Sequence, residues 1–410
     1  MTLAPPAPKR ALALLAAVVT AGFFAWSWPL GAHLSTHTLV RERTIPPAMA
    51  DVAGWELILA NDQNLSLWGA ADNARSLLSL QWTALMRQGQ CYPMPASTTL
   101  GEHMIEVGVL ATPWWLLSGD PVLSYNLSLW TALVVAAVGM FLFVHGHTAS
   151  PAAAALAALA FAFATPRLTD LPYHPAVVGT HWIPWVLWSF DRILSGRRRG
   201  ALAAFGLTLL LGAMVGAYPL LALALVGAVY GAVSIAGGLR RGNVVGPSVA
   251  WCVAAALPAL AITAAVLLEY ARVQAQWSLP PNAGEKFVVA ARDFLPGGIL
   301  SVGSFALLGL LPLALLRGPS AGTPVAGLAA AAAAAFLVAA ALPLPGGSTW
   351  SLYETLARSF PLLDSVRAPG KVGLATGFAL QALGAIGWSR LFARLPSAAA
   401  MLAVAALVTV

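Results

Sequence analysis

The sequence predicts an all-α fold, a polytopic membrane protein with about 10–11 transmembrane helices and one large extracytoplasmic loop. Three observations support this fold class. The chain is 59% hydrophobic and 9% charged, with a mean hydropathy of +0.78, whereas about a quarter of the residues in soluble domains are charged. Apolar runs near the length that crosses a bilayer recur along the chain. The runs lack the alternation of barrel strands, so they are predicted to be helices.

The apolar runs predict ten spans in a single transmembrane domain that covers residues 1–410. They fall at about residues 11–32, 121–144, 150–166, 175–193, 201–217, 219–237, 247–268, 297–316, 323–343 and 371–389. The first run is longer than a signal-peptide core, so we expect it to be retained. A further run, 396–410, is too short to cross comfortably. We therefore expect that a C-terminal region is missing.

The distribution of the basic residues predicts a multi-pass protein of the plasma (inner) membrane with a cytoplasmic N-terminus. If Lys9 and Arg10 are cytoplasmic, alternation of the spans puts eleven of the 22 basic residues on that side, with Asp191 as their one acid. The others are Arg192, Arg197, Arg198, Arg199, Arg240, Arg241, Arg317, Arg390 and Arg394. The net charge of +7 is then a surplus on one side of the bilayer. It does not indicate a nucleic-acid partner.

The loop at residues 33–120 is predicted to be extracytoplasmic, and it holds eight of the 15 acidic residues. They are Glu42, Asp51, Glu56, Asp62, Asp72, Glu102, Glu106 and Asp120. Ordering so long a loop costs conformational entropy, which packing or function must offset. Its apolar spacing predicts interfacial helices within 55–86 and a re-entrant or interfacial helix over 101–117. We expect the functional site in this loop.

Several motifs in the order of the chain resemble a known group of bacterial membrane proteins. They include Asp62, Trp68 and Trp82, then Tyr92-Pro93, Thr99-Leu100-Gly101-Glu102-His103 and Gly119-Asp120-Pro121, then Trp182-Ile183-Pro184-Trp185, and the run from Phe360 to Lys371. Together they resemble YfhO-like membrane proteins and GT-C-type glycosyltransferases over most of the chain. One departure is Lys371, where the family pattern has an Arg. Lys is a point charge, while Arg offers a bidentate fork to phosphate.

The resemblance implies an inverting transfer of a sugar from a polyprenyl-phosphate donor to a lipid, glycan or protein acceptor in the cell envelope. Because a phosphate leaves without a proton, one carboxylate base is enough to activate the acceptor hydroxyl. Glycoside hydrolysis, in contrast, needs paired carboxylates. The resemblance implies Asp62 as this catalytic base, with Trp68 beside it as a substrate-binding residue. The alternative is that Asp62 caps a helix.

Glu102, His103 and Glu106 are predicted to bind substrate. The resemblance implies that Glu102 and His103 orient substrate or assist a divalent metal, although the sequence specifies no cofactor and no metal ligand. The alternative is a helix N-terminus, where Glu favours the helix dipole. Glu106 is one turn into an apolar helix and must face protein or water. It could equally pair with Arg75 or Arg87.

Arg367 and Lys371 are the predicted binding residues for the donor phosphate. They lie in an outer loop before a helix start, where basic side chains add to free backbone donors. The alternative is snorkelling to the bilayer surface.

Two further polar groups are predicted to lie outside the site. Arg167, Asp170 and His174 are expected to form a structural salt bridge on the outer side, with acceptor contact as the alternative. His145 and His147 are expected to be solvated loop residues on the cytoplasmic side, because two His at this spacing are weak evidence for a metal site.

Two other functions remain open for this sequence. One is a transporter or translocase of lipid-linked or small substrates, which typically has matched halves and ionisable residues on broken helices. The spans are nearly free of charge, and the sequence has no convincing internal repeat. The other is a non-catalytic membrane assembly protein, for which Asp62 would be dispensable.

Overall fold

The chain is mostly helical, as its sequence predicts. The computed structural model describes residues 8–39, 55–86, 101–197, 199–243, 245–276, 289–290, 294, 322–344, 349–359 and 368–393. The predicted span at 297–316, the run at 396–410, Arg87 and the predicted phosphate ligand Arg367 lie outside the described residues.

In the part of the chain that the structure describes, the secondary structure consists of helices of very different lengths and one small sheet. The helices are α1 (Lys9–Ser27), α2 (Trp55–Leu78), α3 (Ile105–Ser118), α4 (Pro121–Thr148), α5 (Pro151–Ala162), α6 (Thr165–Asp170), α7 (Pro175–Val178), α8 (Ile183–Leu194), α9 (Ala201–Ala213), α10 (Ala217–Arg240), α11 (Gly246–Gln276), α12 (Gly322–Ala339), α13 (Leu352–Ser359) and α14 (Gly373–Phe392). Short 3-10 turns cover Leu30–His33, Trp82–Met86, Thr180–Trp182 and Pro369–Val372.

The sheet is a feature that the sequence analysis missed. Strand β2 (Ala340–Pro343) pairs in parallel with β1 (Val289–Ala290) and antiparallel with β3 (Thr349–Ser351). Because β2 directly follows α12, the predicted span at 323–343 ends as a strand.

Among the described residues, six helices are long and apolar enough to cross a membrane. They are Lys9–Ser27, Pro121–Thr148, Pro151–Asp170, Ala217–Arg240, Gly246–Val273 and Pro369–Phe392. The predicted span at 175–193 is instead broken into α7, a 3-10 turn and α8, because Gly179 and Pro184 interrupt it. Helix α9 has only 13 residues. These breaks explain in part why the described residues contain fewer candidate spans than the ten apolar runs in the sequence.

Helix α4 is the centre of the packed bundle. Its start is specified locally, because Asp120 accepts a hydrogen bond from Leu123 N and Pro121 occupies the first turn. Trp185 Nε1 of α8 donates to Val135 O at 2.9 Å. The ring of Trp185 lies so close to Gly139 that a Cβ there would be 2.4 Å from it. Any larger residue at 139 would therefore displace the ring of Trp185 that packs α8 on α4.

The directions of the helices give the bundle two ends. The acidic end, at the start of α4, carries Asp62, Asp120 and Asp170. The basic end lies where α1 starts and where α8, α10 and α14 finish, and it carries Lys9, Arg10, Arg192, Arg197, Arg240, Arg241 and Arg390. At 1.5 Å per residue, Tyr125 and His147 of α4 are about 33 Å apart, so the two ends are separated by roughly the thickness of a bilayer core.

Helix α11 exposes apolar side chains along most of its length in the described structure. They are Trp251, Val253, Leu257, Leu260, Ile262, Leu267 and Leu268. Large exposed apolar surfaces are unusual on soluble monomers and mark contacts with lipid or with other protein.

Candidate functional site

Residues 170–174, at the acidic end, form a turn that contacts both Asp62 and Lys371. The turn follows α6 and closes through a hydrogen bond from His174 N to Asp170 O at 2.7 Å. Tyr125 Oη donates to Pro172 O at 3.0 Å, and Ser66 Oγ donates to Tyr173 O at 2.8 Å. The turn is therefore tied to α4 and to α2 by buried side chains.

Asp62 lies on α2 beside His174. The distance from Asp62 Oδ2 to His174 Nε2 is 3.6 Å, and the two side chains are 37% and 31% exposed. This distance is too long for a hydrogen bond, so the carboxylate keeps its capacity to accept a proton from another group. Asp62 is the eighth residue of α2, so the alternative that it caps a helix is wrong.

Lys371, in the 3-10 turn before α14, pairs with Asp170. Its Nζ donates to Asp170 Oδ2, and the Lys and Asp side chains are 22% and 5% exposed. The prediction of a salt bridge between Arg167 and Asp170 is therefore wrong, because Asp170 pairs with Lys371. Arg167 instead donates to Phe161 O, Val178 O and Thr180 Oγ1. We call Asp62, Asp170, His174 and Lys371 the outer cluster.

Trp68 does not lie beside Asp62. It is six residues further along α2, which places it about 120° around the helix axis from Asp62, and its side chain is 54% exposed. The face of α2 that carries Asn64 and Leu67 lines a cavity of about 520 Å³. This cavity is also lined by Leu30, Thr36, His37, Thr38 and Val122.

Glu102 and His103 belong to a second group of polar residues, which lies at the starts of α3, α8 and α10. Glu102 Oε2 accepts a hydrogen bond from Ala217 N at 2.9 Å, at the start of α10. The contact requires Gly216, where a Cβ would lie 2.2 Å from Oε2. Burial raises the pKa of the Glu102 carboxyl to about 7, although the hydrogen bond from Ala217 lowers it. Glu102 thus interacts with the N-terminus of a helix 115 residues away.

His103 is buried against Tyr270 of α11, with ring centroids 6.2 Å apart. Its carbonyl accepts from Asn73 Nδ2 at 2.9 Å, and burial lowers the pKa of its ring to about 4. The next residue, Met104, has a left-handed backbone with φ of 48°. Such a conformation is strained for a residue with a Cβ, so the surrounding contacts must hold it in place.

Glu106 is fully buried and is the second residue of α3, within the first turn of the helix. Its Oε1 accepts from His181 Nε2 and from Trp182 Nε1, both at 2.9 Å. Its backbone N donates to Met214 O at 2.9 Å. The side chain of Glu106 therefore pairs with His181 and Trp182 and not with Arg75, which is exposed. We call Glu102, His103, Glu106 and His181 the inner cluster.

The residues predicted to form one site therefore divide between two clusters. Asp62 and Asn73 are 11 residues apart on α2, about 16 Å along the helix axis. Lys371 and Asp62 belong to the outer cluster, and Glu102, His103 and Glu106 to the inner one. The sequence analysis placed His174 and Asp170 outside the site and did not single out His181. The position of His181 next to the Trp182-Ile183-Pro184-Trp185 motif could have indicated it.

The expectation that His145 and His147 are solvated is wrong. His145 is buried and stacked on Phe141, and His147 Nε2 lies 3.1 Å from Asp191 Oδ2. The same carboxylate oxygen accepts from Tyr230 Oη at 2.8 Å. Among the described residues, no group of three or more His, Cys, Asp or Glu side chains is arranged to hold a metal ion.

Comparisons of the chain with models of protein families, with curated proteins and with solved structures gave no match. The resemblance to GT-C-type glycosyltransferases therefore rests on the sequence motifs alone. Fold likeness would not settle a reaction in any case, so the function has to be argued from the outer cluster.

Proposed function

We propose that the protein is a polytopic membrane glycosyltransferase of GT-C type that moves a sugar from a polyprenyl-phosphate donor to an extracytoplasmic acceptor with inversion. The observation that carries the proposal is the turn at residues 170–174. It brings the proposed base Asp62 and the proposed phosphate ligand Lys371 to one end of the bundle. These residues are 309 positions apart in the chain, and the sequence motifs singled out both.

A membrane setting is supported by the six long apolar helices and by the exposed apolar face of α11. An apolar helix that is not covered by protein has lipid as its natural surroundings. The positive-inside rule then assigns the basic end to the cytoplasm. On this basis the outer cluster faces the extracytoplasmic side, where lipid-linked sugars and envelope acceptors would meet.

Asp62 has the properties that a general base requires. Its carboxylate is partly exposed, so an acceptor hydroxyl can reach it, and its 3.6 Å separation from His174 is too long for a hydrogen bond that would occupy it. Asp62 takes the hydroxyl proton as the acceptor oxygen bonds to the anomeric carbon of the donor sugar. The bond from that carbon to the phosphate oxygen breaks on the opposite face, and the polyprenyl phosphate leaves as an anion.

Lys371 fits the role of phosphate ligand even though it pairs with Asp170. An ammonium group has three N–H donors, and the carboxylate of Asp170 engages one of them. Asp170 thus fixes the position of Nζ, while two donors remain for the phosphate oxygens of the donor. A fixed cation stabilises the negative charge that develops on the leaving group.

A transporter is the second candidate, and one observation favours it. The buried pair of Glu106 and His181 lies where α7 and α8 form a broken helix and where the chain turns between α9 and α10. Ionisable groups at broken helices are typical of transport pathways. However, Glu106 Oε1 already accepts two hydrogen bonds from the protein, which gives it a sufficient structural role.

The test is a transfer assay with the parent protein in membranes. A pool of polyprenyl-phosphate sugars is supplied with radiolabelled sugar, and the label is followed into lipid, glycan and protein fractions. The proposal expects label in one of these fractions, and expects the Asp62→Asn variant to remove it. If no fraction is labelled with any donor, while the protein moves a donor across sealed vesicles, the transporter candidate replaces the proposal.

A further inference from the structure

The basic end contains a cavity that has no part in the proposed transfer. It has a volume of about 220 Å³ and lies between the end of α4, the start of α12 and the end of α14. Its lining consists of His147, Thr148, Pro324, Val325, Ile386, Ser389, Arg390 and Ala393. Lys371 lies just before α14 and Arg390 lies in its last turn, 19 residues or about 28 Å away, so this cavity is separate from the outer cluster.

We propose that this cavity binds a phosphate group, with Arg390 and His147 as its ligands. The charged side chain in its lining is Arg390, and a guanidinium offers paired donors that match phosphate oxygens. The hydroxyls of Thr148 and Ser389 add polar atoms to the same wall. The volume suits one phosphate-sized group better than a large ligand, because pockets for drug-sized molecules are typically about 300–1,000 Å³.

Asp191 prepares His147 for this role from behind the cavity. Its carboxylate is 1% exposed and accepts from both Tyr230 Oη and His147 Nε2 through Oδ2. Because a carboxylate oxygen accepts, Nε2 carries the hydrogen of that bond, which fixes the orientation of the imidazole ring. Nδ1 is then left as an acceptor, which suits the P–OH of a monoanionic phosphate.

Arg390 has a simpler role available, which does not account for the cavity. A basic residue in the last turn of α14 interacts favourably with the helix dipole. That role would be served equally by a fully solvated side chain. It does not require Arg390 to share a cavity with a histidine oriented by a buried carboxylate.

The phosphate could belong to a lipid headgroup or to a soluble ion, and the test separates these sources. The purified protein in dodecyl maltoside micelles, which contain no phosphate, is titrated with inorganic phosphate in one arm. In the other arm, phosphatidic acid is added to the micelles. Binding is followed by the change in unfolding temperature and by retention of radiolabelled phosphate or lipid. Binding in either arm supports the proposal and names the source, and no binding in both arms overturns it.

Variants connect the binding to the cavity. Arg390→Gln should weaken phosphate binding at least tenfold, and Arg241→Gln, which removes an exposed charge from the same end, should leave it unchanged. Ala393→Trp offers an independent route, because it fills the cavity from an exposed position without removing any charge. It should also abolish binding. Equal losses in Arg390→Gln and Arg241→Gln, or full binding by Ala393→Trp, would show that phosphate binds elsewhere on the basic end.

Discussion

Lys371 and Asp170 form an ion pair that joins the start of α14 to the end of α6, across 201 residues of sequence. Four residues after Asp170, His174 lies against Asp62. This turn therefore brings Asp62, the proposed base, and Lys371, the proposed phosphate ligand, to the same end of the bundle. The arrangement gives each of them a separate test.

The Asp62→Asn variant tests the base. Asn keeps the size and most of the hydrogen-bonding shape of Asp but cannot accept the hydroxyl proton, so kcat for sugar transfer should fall about 10²–10⁴-fold. The unfolding temperature should change little, because Asp62 is partly exposed. Asp72→Asn, on the same helix, is the matched control and should keep its activity. Normal transfer by the Asp62→Asn variant would remove Asp62 as the base.

Lys371 is tested by a pair of variants. Lys371→Gln leaves the nearly buried Asp170 carboxylate without its cation, which should destabilise the protein by about 1–3 kcal/mol and raise the donor KM. Adding Asp170→Asn removes the unpaired charge, so the double variant should recover stability. If the phosphate contact is real, the double variant still has the raised donor KM. Recovery of both quantities would limit Lys371 to a structural role.

Glu106 is tested by comparing two substitutions. Glu106→Ala leaves His181 Nε2 and Trp182 Nε1 without an acceptor inside the bundle, at a cost of about 1–3 kcal/mol for each donor. Glu106→Gln retains an amide oxygen and should lose much less stability. Thermal unfolding in detergent measures both. If the two variants unfold at the same temperature, the hydrogen bonds of Glu106 Oε1 do not stabilise the fold.

Much of this architecture could be read from the sequence, and the exceptions have physical causes. Helix length and apolar composition predicted α1, α4, α10, α11 and α14, because lipid and core packing both favour continuous apolar helices. The break between α7 and α8 follows from local Pro and Gly residues within an apolar run, where hydropathy averages hide it.

Contacts between distant residues could not be predicted in the same way. The sequence singled out Asp62, Lys371 and Glu102, but the partners His174, Asp170 and Ala217 are fixed by tertiary packing. His147 was misread because its partner Asp191 is 44 residues away. A charged residue at the end of an apolar run has the same sequence pattern whether it is solvated or buried in an ion pair.

Glu102 gives the protein a predictable dependence on pH. Its pKa in the folded protein is raised by burial to about 7, above the usual value of 4.5. The folded state therefore binds this proton more tightly than the unfolded state does. The resulting stabilisation is complete below about pH 4.5 and is lost as the pH rises to about 7.

The Glu102→Gln variant should not lose stability as the pH rises, because its side-chain amide has no proton to release. The amide oxygen can still accept the hydrogen bond from Ala217 N. The variant and the parent should therefore be equally stable near pH 4.5. At pH 8 the variant should be more stable by about 1–3 kcal/mol, with the partial exposure of Glu102 favouring the lower value. Unfolding temperatures measured across this pH range give the difference directly. A difference that does not change with pH would contradict the assigned role of the carboxyl.

The orientation of the bundle is tested by labelling single cysteines from outside the cell. Asn64, beside Asp62 at the acidic end, and Asn243, just after α10 at the basic end, are both exposed and uncharged. In a background with Cys91→Ser and Cys252→Ala, a membrane-impermeant maleimide should label Asn64→Cys in intact cells. It should label Asn243→Cys only after the membrane is permeabilised, because the basic end is assigned to the cytoplasm. The reverse pattern would place the outer cluster in the cytoplasm, where an extracytoplasmic acceptor could not reach Asp62, and the proposed function would fail with it.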